Sequence, residues 1–201
     1  LTFYGGVGVV TGANFLLEGE GKKILIDCGM FQGGDFAEDK NKEPFPYDTK
    51  SVTALFVTHA HLDHIGRIPK LVKDGFSGVI YSTPATKEIA EISLIDSMGV
   101  LSKEAKKKGL EPLYNKSDVE RAISFWKTIP YKTPIEINGN LKAIFKDAGH
   151  ILGSSMVEFE HNPPAGGGRK IVFTGDLGNS PAPLLRDTEV VKDADYMIIE
   201  S

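Results

Sequence analysis

Four times along this chain an apolar, strand-forming run stops at a residue able to bind a metal ion, and a loop follows. Lys23-Ile-Leu-Ile26 runs into Asp27, and Thr53-Ala-Leu-Phe-Val-Thr58 runs into His59. Leu141–Asp147 leads to His150 within Asp-Ala-Gly-His150-Ile-Leu-Gly-Ser, and Ile171-Val-Phe-Thr-Gly reaches Asp176. Short apolar runs bounded by glycine and polar turns read as buried strands. Ends of neighbouring strands converge in space. The recurrence therefore predicts one site at a sheet edge, built from residues far apart in the chain.

The densest of the four is His59-Ala-His-Leu-Asp-His64, which offers four donors within six positions. The whole chain has five histidines, and three of them fall here. A polar loop with coincidental histidines is a poor competitor to that clustering. Imidazole and carboxylate together suit zinc and similar borderline cations. The next segment, Ile65-Gly-Arg-Ile-Pro-Lys-Leu-Val-Lys73, has near-helical apolar spacing, so the cluster lies on a turn from strand into helix. Such a turn aims adjacent side chains in different directions. It can feed His59 and His61 to one ion, and Asp63 and His64 to a second.

The remaining pattern is mixed α/β. Strands are expected over residues 1–4, 14–18, 22–27 and 53–58, then again over 135–137, 141–147, 155–160, 170–174 and 196–199. Residues 29–47 read as an irregular loop. Thr83-Pro84 starts a helix, and its Ile89, Ile92, Ile95, Met98 and Leu101 stripe is expected to face the core. Gly109 ends that helix after a lysine run. Ser117 and Glu120 have capping-box spacing for a second helix reaching Trp126. With 201 residues and 41% hydrophobic content, one domain with a substantial core is expected. Strands, helices, then strands imply layered packing.

The bulk numbers exclude little else. A net charge of −4 gives no global pull toward nucleic acid, though a local basic groove is compatible with it. The single cysteine, Cys28, cannot form an intrachain disulfide and reads as a small buried residue, which fits a reducing cytoplasm. No secretory signal is seen, and no apolar run approaches the ~18 residues of a membrane span. The chain starts at Leu1 and stops just after an apolar run, and so reads as a piece of a longer protein. Gly6-Val-Gly-Val-Val-Thr-Gly12 has the wrong glycine spacing for a dinucleotide loop. His161, before Pro163-Pro164, reads as a surface residue.

Taken in order, Asp27, the H-x-H-x-D-H set at 59–64, His150 and Asp176 resemble the metallo-β-lactamase-fold hydrolases. Within them the chain is most similar to the β-CASP branch of RNA- and DNA-processing nucleases. The specific marks are Asp-Ala-Gly-His150-Ile-Leu-Gly-Ser, Phe-Thr-Gly-Asp176-Leu-Gly and Asp195-Tyr-Met-Ile-Ile-Glu200-Ser201. The last matches the start of the β-CASP acidic motif, which lactamases and glyoxalase II-type thioesterases lack. By the resemblance the 6–12 loop lies near the metals.

The resemblance implies an αββα sandwich of mixed sheets flanked by helices, incomplete at the C-terminus. Residues 1–201 would be its N-terminal portion, without the β-CASP cap and the last strands. It further implies that His59, His61 and His150 hold one zinc, that Asp63 and His64 hold a second, and that Asp176 bridges them. Asp27 would orient the H-x-H turn through hydrogen bonds. Glu200 would support a histidine, further along the protein, that acts as general acid. Asp63 could also accept a proton from the attacking water. The implied function is zinc-dependent cleavage of RNA phosphodiester bonds by a metal-activated hydroxide, with two zinc ions and RNA as the partner. Two other classes compete: a binuclear-zinc thioester or lactone hydrolase acting on small molecules, and a non-catalytic metal-binding subunit of an RNA-processing complex.

Overall fold

The computed structural model describes residues 1–179 and 181–200. Two sheets form its centre. The first has six strands in chain order: β1 (Thr2–Gly5), β2 (Asn14–Gly19), β3 (Lys22–Ile26), β4 (Ala54–Phe56), β5 (Val79–Ser82) and β6 (Trp126–Thr128). The β1–β2 and β2–β3 pairs are antiparallel, and the rest are parallel. Parallel neighbours need crossovers, and helices supply them. These are α1 (Gly34–Lys42) after β3, α2 (Leu62–Ile65) and α3 (Ile68–Lys73) after β4, and α4 (Pro84–Lys108) with α5 (Lys116–Ser124) after β5. The second sheet contains β7 (Ile135–Asn138), β8 (Leu141–Asp147), β9 (Ser155–His161), β10 (Arg169–Phe173) and β11 (Tyr196–Ile198), in the spatial order β11-β10-β9-β8-β7. Only its β10–β11 pair is parallel.

Side-chain alternation explains the layering. In β2, β3 and β4 both faces are apolar, so both are covered. Leu16, Leu25 and Leu55 face the helices, where they meet Ile65, Ile68, Leu71, Ala90 and Leu94. Phe15, Ile24, Ile26 and Phe56 face the second sheet and meet Phe145, Val157, Phe159 and Phe173. Phe56 is fully buried, with the rings of Phe159, Tyr81 and Phe145 centred 5.0, 5.1 and 5.9 Å away. Burying one such ring contributes about 1.5–3 kcal/mol.

The outer face of the second sheet is different. There Lys142, Lys146 and Lys170 alternate with Glu158 and Glu160 across β8, β9 and β10, with N–O distances of 2.8–3.4 Å. Charged residues at the outward positions do not bury a helix. Among the described residues none covers this face, and only a small apolar patch around Met156 and Val172 is closed, by Val191 and Ala194. The fold is thus the expected mixed α/β sandwich of two sheets, with its helices against the first sheet and none on the outer face of the second among the described residues.

Four local expectations are corrected. Residues 34–42 are helical, although they carry no apolar stripe. Asn41 holds the preceding turn by donating to the Phe31 carbonyl and accepting from its amide, both at 2.8 Å. On α4 the buried positions are Thr86, Ala90, Leu94 and Ser97; Ile92 and Ile95 are 71% and 50% exposed. Spacing of three residues drifts around a helix of 3.6 residues per turn, so a stripe read at i+3 leaves the core-facing side. The cap of α5 is Asn115 with Asp118, a reciprocal capping box two residues before the expected one. Finally, Trp126 belongs to strand β6, not to the helix, and its indole N–H donates to Ser82 Oγ at 2.7 Å. No helix among the described residues is long and apolar enough to cross a membrane.

Strand direction sets the position of the site. The carboxyl ends of β3, β4 and β5 lie at one end of the first sheet because those strands are parallel. In the second sheet β8 and β10 run the same way on either side of β9, and β11 follows β10. The two sheets are joined at this end: the Thr58 carbonyl after β4 accepts from both the amide and the hydroxyl of Ser155, at 2.8 and 3.0 Å. Asp27, His59, His150, Asp176 and Glu200 each follow a strand that ends here.

Candidate metal centre

The turn after β4 is held from outside itself. Helix α2 is a single turn, too short to satisfy its own carbonyls. Leu62 accepts from the Gly66 amide at 2.7 Å, and Leu62, Asp63 and His64 also accept from the amides of Met30, Ala13 and Cys28, at 2.8, 2.9 and 2.8 Å. Arg67 secures the same segment. Its Nε donates to the Gly29 carbonyl at 2.5 Å, and its guanidinium lies over the rings of Phe31 and Phe45. Asp63 and His64 are thereby fixed by tertiary contacts that their own spacing does not reveal.

Two groups of donors meet at this end. In the first, His61 Nδ1 lies 3.0 Å from His59 Nε2 and 3.2 Å from His150 Nε2. Asp176 Oδ2 lies 3.3 Å from His150 Nε2 and 3.7 Å from His59 Nε2. In the second, His64 Nε2 faces Asp176 Oδ1 at 3.4 Å, Glu200 Oε2 at 3.4 Å and Asp63 Oδ2 at 3.9 Å. Asp176 therefore turns one oxygen toward each group. Ser201, which closes the acidic motif, lies outside the described residues.

Asp27 and Thr58 set which ring nitrogens are bare. Asp27 has a left-handed backbone (φ 55°), a conformation that Asp tolerates better than most residues. Its Oδ1 accepts from the Thr58 amide at 2.8 Å. Its Oδ2 accepts from Thr58 Oγ1 at 2.7 Å and from His64 Nδ1 at 2.8 Å. A hydroxyl has one proton, and Thr58 gives it to Asp27. Thr58 Oγ1 can then only accept from His59 Nδ1, 3.1 Å away. Both imidazoles so turn Nε2 into the site. Asp27, His64 and Glu200 also have donor atoms within 4.8 Å of one another. Both oxygens of Asp27 are already hydrogen-bonded, however, so it orients the site and is not itself a free donor. Thr58 is the site residue that motif reading passes over. A hydroxyl directly before the first histidine is its only sequence signal.

The electrostatics follow from burial and from crowded charge. Burial, with the neighbouring His64, pushes the pKa of His59 down to about 2, which keeps that ring neutral. Burial also lowers His150. Burial disfavours charge on His64 too, but Asp27, Asp176 and Glu200 outweigh it and hold its pKa well above the ordinary value. The hydrogen bond from His64 holds Asp176 well below the usual carboxylate range. Burial raises Glu200 to about 8, and its Oε1 has no hydrogen-bond partner among the described residues. Four carboxylates around one imidazole, with an orphaned buried oxygen, require positive charge from a proton or from a cation.

A cavity of about 530 Å³ opens over these groups, lined by Asp63, His150, Asp176 and Glu200 and by Gly6, Gly8, Val9, Val10, Leu177 and Ile199. The glycine-rich loop at 6–12 thus forms an apolar wall of the site. A second large cavity, about 590 Å³, lies among Lys42, Phe45, Lys50, Lys70 and Lys73, and none of the donors above lines it. Cys28 is fully buried, with its thiol pushed up to about 12 by burial, so it is inert packing. His161 lies away from the site and pairs with Glu20 at 2.9 Å.

Comparison with known proteins places these features. Residues 7–129 match the family described as the metallo-beta-lactamase superfamily. Ribonuclease TTHA0252 of Thermus thermophilus is 39% identical over 197 residues, covering 98% of this chain and 42% of that protein. Transcription termination factor FttA of Methanosarcina mazei is 35% identical over 181 residues, covering 88% of this chain and 27% of that protein. The RNase J-like protein of Methanocaldococcus jannaschii is 33% identical over 205 residues, covering 100% of this chain and 42% of that protein. The chain therefore spans less than half the length of these relatives. Among solved structures, the subclass B3 metallo-beta-lactamase MEM-A1 from a soil metagenome library superimposes with a TM-score of 0.52 at 18% identity, covering 83% of this chain and 58% of that one. The metallo-beta-lactamase MIM-1 of Novosphingobium pentaromativorans gives 0.51 at 18% identity, covering 87% and 59%. At that identity the likeness is one of fold.

Proposed function

This chain belongs to the metallo-beta-lactamase superfamily, and on that premise we propose that it carries the metal centre of a zinc-dependent, β-CASP-type ribonuclease. The observation that carries the proposal is the convergence of two donor groups on one carboxylate, Asp176. Tetrahedral zinc with donors at about 2.0–2.2 Å has donor-to-donor edges of roughly 3.3–3.6 Å. The four edges measured among His59, His61, His150 and Asp176 run from 3.0 to 3.7 Å. The donor set fits the ion. In this reading those four residues hold one zinc. His64 and Asp63 hold a second, with the other oxygen of Asp176.

When bound, two such cations supply Lewis acidity toward phosphoryl oxygens and a water of lowered pKa. The chain's own residues do the rest. Thr58 and Asp27 hold the imidazoles in the required tautomers. In this reading Asp63, which lines the cavity, takes a proton from the attacking water. Glu200 keeps a buried oxygen for the histidine that the β-CASP resemblance assigns as general acid. The loop at 6–12 and Leu177 and Ile199 give the cavity apolar lining.

The cavity's charge supports dependence on cations. Its lining includes Asp63, Asp176 and Glu200 but no lysine or arginine. A phosphodiester, itself an anion, is repelled by such a pocket unless cations are present. The relatives named as ribonucleases support RNA as the partner. The lone cysteine supports a cytoplasmic location.

The test is His61→Ala in the intact protein. His61 is exposed, and its side-chain hydrogen-bonding contacts among the described residues are with His59 and His150, so its loss spares the fold. RNA cleavage is expected to fall at least about 10²–10³-fold, the scale for losing one preorganised electrostatic group. Unchanged cleavage would remove the proposed site, and turnover of a thioester or lactone with indifference to RNA would favour the small-molecule class.

A further inference from the structure

The donors are not anchored alike. His59 and His64 each have their second ring nitrogen tied, to Thr58 and Asp27 respectively. His150 makes no hydrogen bond through Nδ1 among the described residues; only its Nε2 is engaged, by the other donors. Beyond its contacts with the other donors, its position is set by its backbone. That backbone is a tight turn in which Ser154 Oγ accepts from the amides of His150 and Ile151, at 3.0 and 3.2 Å, and the Ser154 amide donates to the Ile151 carbonyl.

The turn is gripped at both ends. On one side the Ala148 carbonyl accepts from the Gly178 amide and from Thr188 Oγ1, both at 2.9 Å. On the other, the Gly153 carbonyl accepts two hydroxyls from the first turn of α4: Thr83 Oγ1 at 2.7 Å and Thr86 Oγ1 at 2.8 Å. Both threonines are essentially buried. A helix cap needs only Thr83, whose Oγ1 accepts from the Thr86 amide at a long 3.3 Å. The Thr86 hydroxyl also lies 3.0 Å from Thr83 Oγ1, but its own proton goes to the turn. Gly153 is in the left-handed region (φ 84°), and a Cβ there would meet the Thr86 amide at 2.5 Å and both hydroxyls at 2.8 Å. The fit is backbone against helix end, 67 to 70 residues apart in sequence.

We propose that Thr83 and Thr86 are positioning residues for His150, the start of α4 acting as a clamp that fixes this imidazole in the first donor group. The proposal rests on the metal reading above. It predicts that metal affinity, not only stability, depends on two hydroxyls that never touch the metal pocket.

The experiment is a cobalt(II) titration of the intact protein against a competing chelator, read by the visible absorption of the bound ion. Thr83→Val with Thr86→Val keeps the branched shape and removes the hydroxyls. It is expected to bind cobalt about 10–100-fold more weakly and with shifted bands, as for loss of groups that orient metal-binding histidines. Thr83→Ser with Thr86→Ser keeps the hydroxyls and should match the parent. Asn115→Ala removes the α5 capping box, a helix cap away from the His150 turn, and should leave cobalt binding unchanged. Should the double valine variant not fold, Thr86→Val alone, which spares the cap, should still weaken binding several-fold. Parent-like affinity and spectrum in the valine variants, or equal loss in Asn115→Ala, would overturn the clamp while leaving the metal centre standing. A parent that binds no cobalt would overturn both.

Discussion

Asp176→Asn in the intact protein is expected to cut the bound metal from about two ions per chain to one or fewer, and RNA cleavage by about 10³-fold or more. The reason is that one side chain faces two donor groups. Oδ2 lies 3.3 Å from His150 and Oδ1 lies 3.4 Å from His64. Asparagine offers one acceptor oxygen and an NH₂ that can only donate. Whichever way the amide turns, one group loses its oxygen and receives a donor aimed at a cation. A 10³-fold loss corresponds to roughly 4 kcal/mol of transition-state stabilisation. Asp176 follows strand β10 and is partly exposed, and its side-chain contacts are to the other site residues. Thermal stability of the metal-free protein should therefore change little. Elemental analysis and single-turnover cleavage check this together; two bound ions and a near-parental rate would mean that Asp176 is not shared.

The second large effect is on the fold that carries the site. Gly29→Ala places a Cβ 1.5 Å from the Asp63 carbonyl oxygen and 2.9 Å from the Ala13 amide that bonds it. Backbone cannot yield as a side-chain tip can. The segment 28–30 has to part from α2, and the bonds at stake are Ala13–Asp63, Gly29–Ala13, Met30–Leu62 and Cys28–His64, all 2.8–2.9 Å. Overpacking costs about 1–3 kcal/mol, and each buried backbone group left unpaired costs about as much again. A total of about 3–6 kcal/mol is a large share of a typical 5–15 kcal/mol stability. The melting temperature should fall by roughly 10 °C or more. Gly99→Ala is the control, since a Cβ there meets nothing within 4 Å. It lies within α4 and should leave melting unchanged or slightly raised. Equal melting of the two variants would refute the tight packing of the Asp63 turn.

Much of this arrangement is legible in the sequence because strands covered on both faces, such as β3 and β4, write continuous apolar runs, while β8, charged on its outer face, alternates buried and half-buried positions. β3, β4, β8 and β10 are found where their runs lie, and each leads to a donor. The start of α4 at Pro84 and its end at Gly109 follow from local backbone rules, which operate at short range. What stayed hidden depends on tertiary contact. Helix α1 is polar and held by Asn41 and by lysine–glutamate pairs such as Lys42–Glu38. β6 is only three residues long and is paired on one side, to β5. The inward side of α4 is chosen by its neighbours, so small residues such as Ala90 and Ser97 face in while Ile92 and Ile95 stay out. At the site, the donors carry recognisable side-chain types at recognisable spacing. Thr58, Gly29 and the Thr83–Thr86 pair act through hydrogen bonds and close approach, which no local pattern encodes.

The most direct measurement is the metal content of the intact protein, purified without added metal or chelator, by elemental mass spectrometry. About two zinc ions per chain are expected, falling toward zero as pH is lowered and the imidazole donors take up protons. Absence of any stoichiometric transition metal from folded protein near neutral pH would contradict the account.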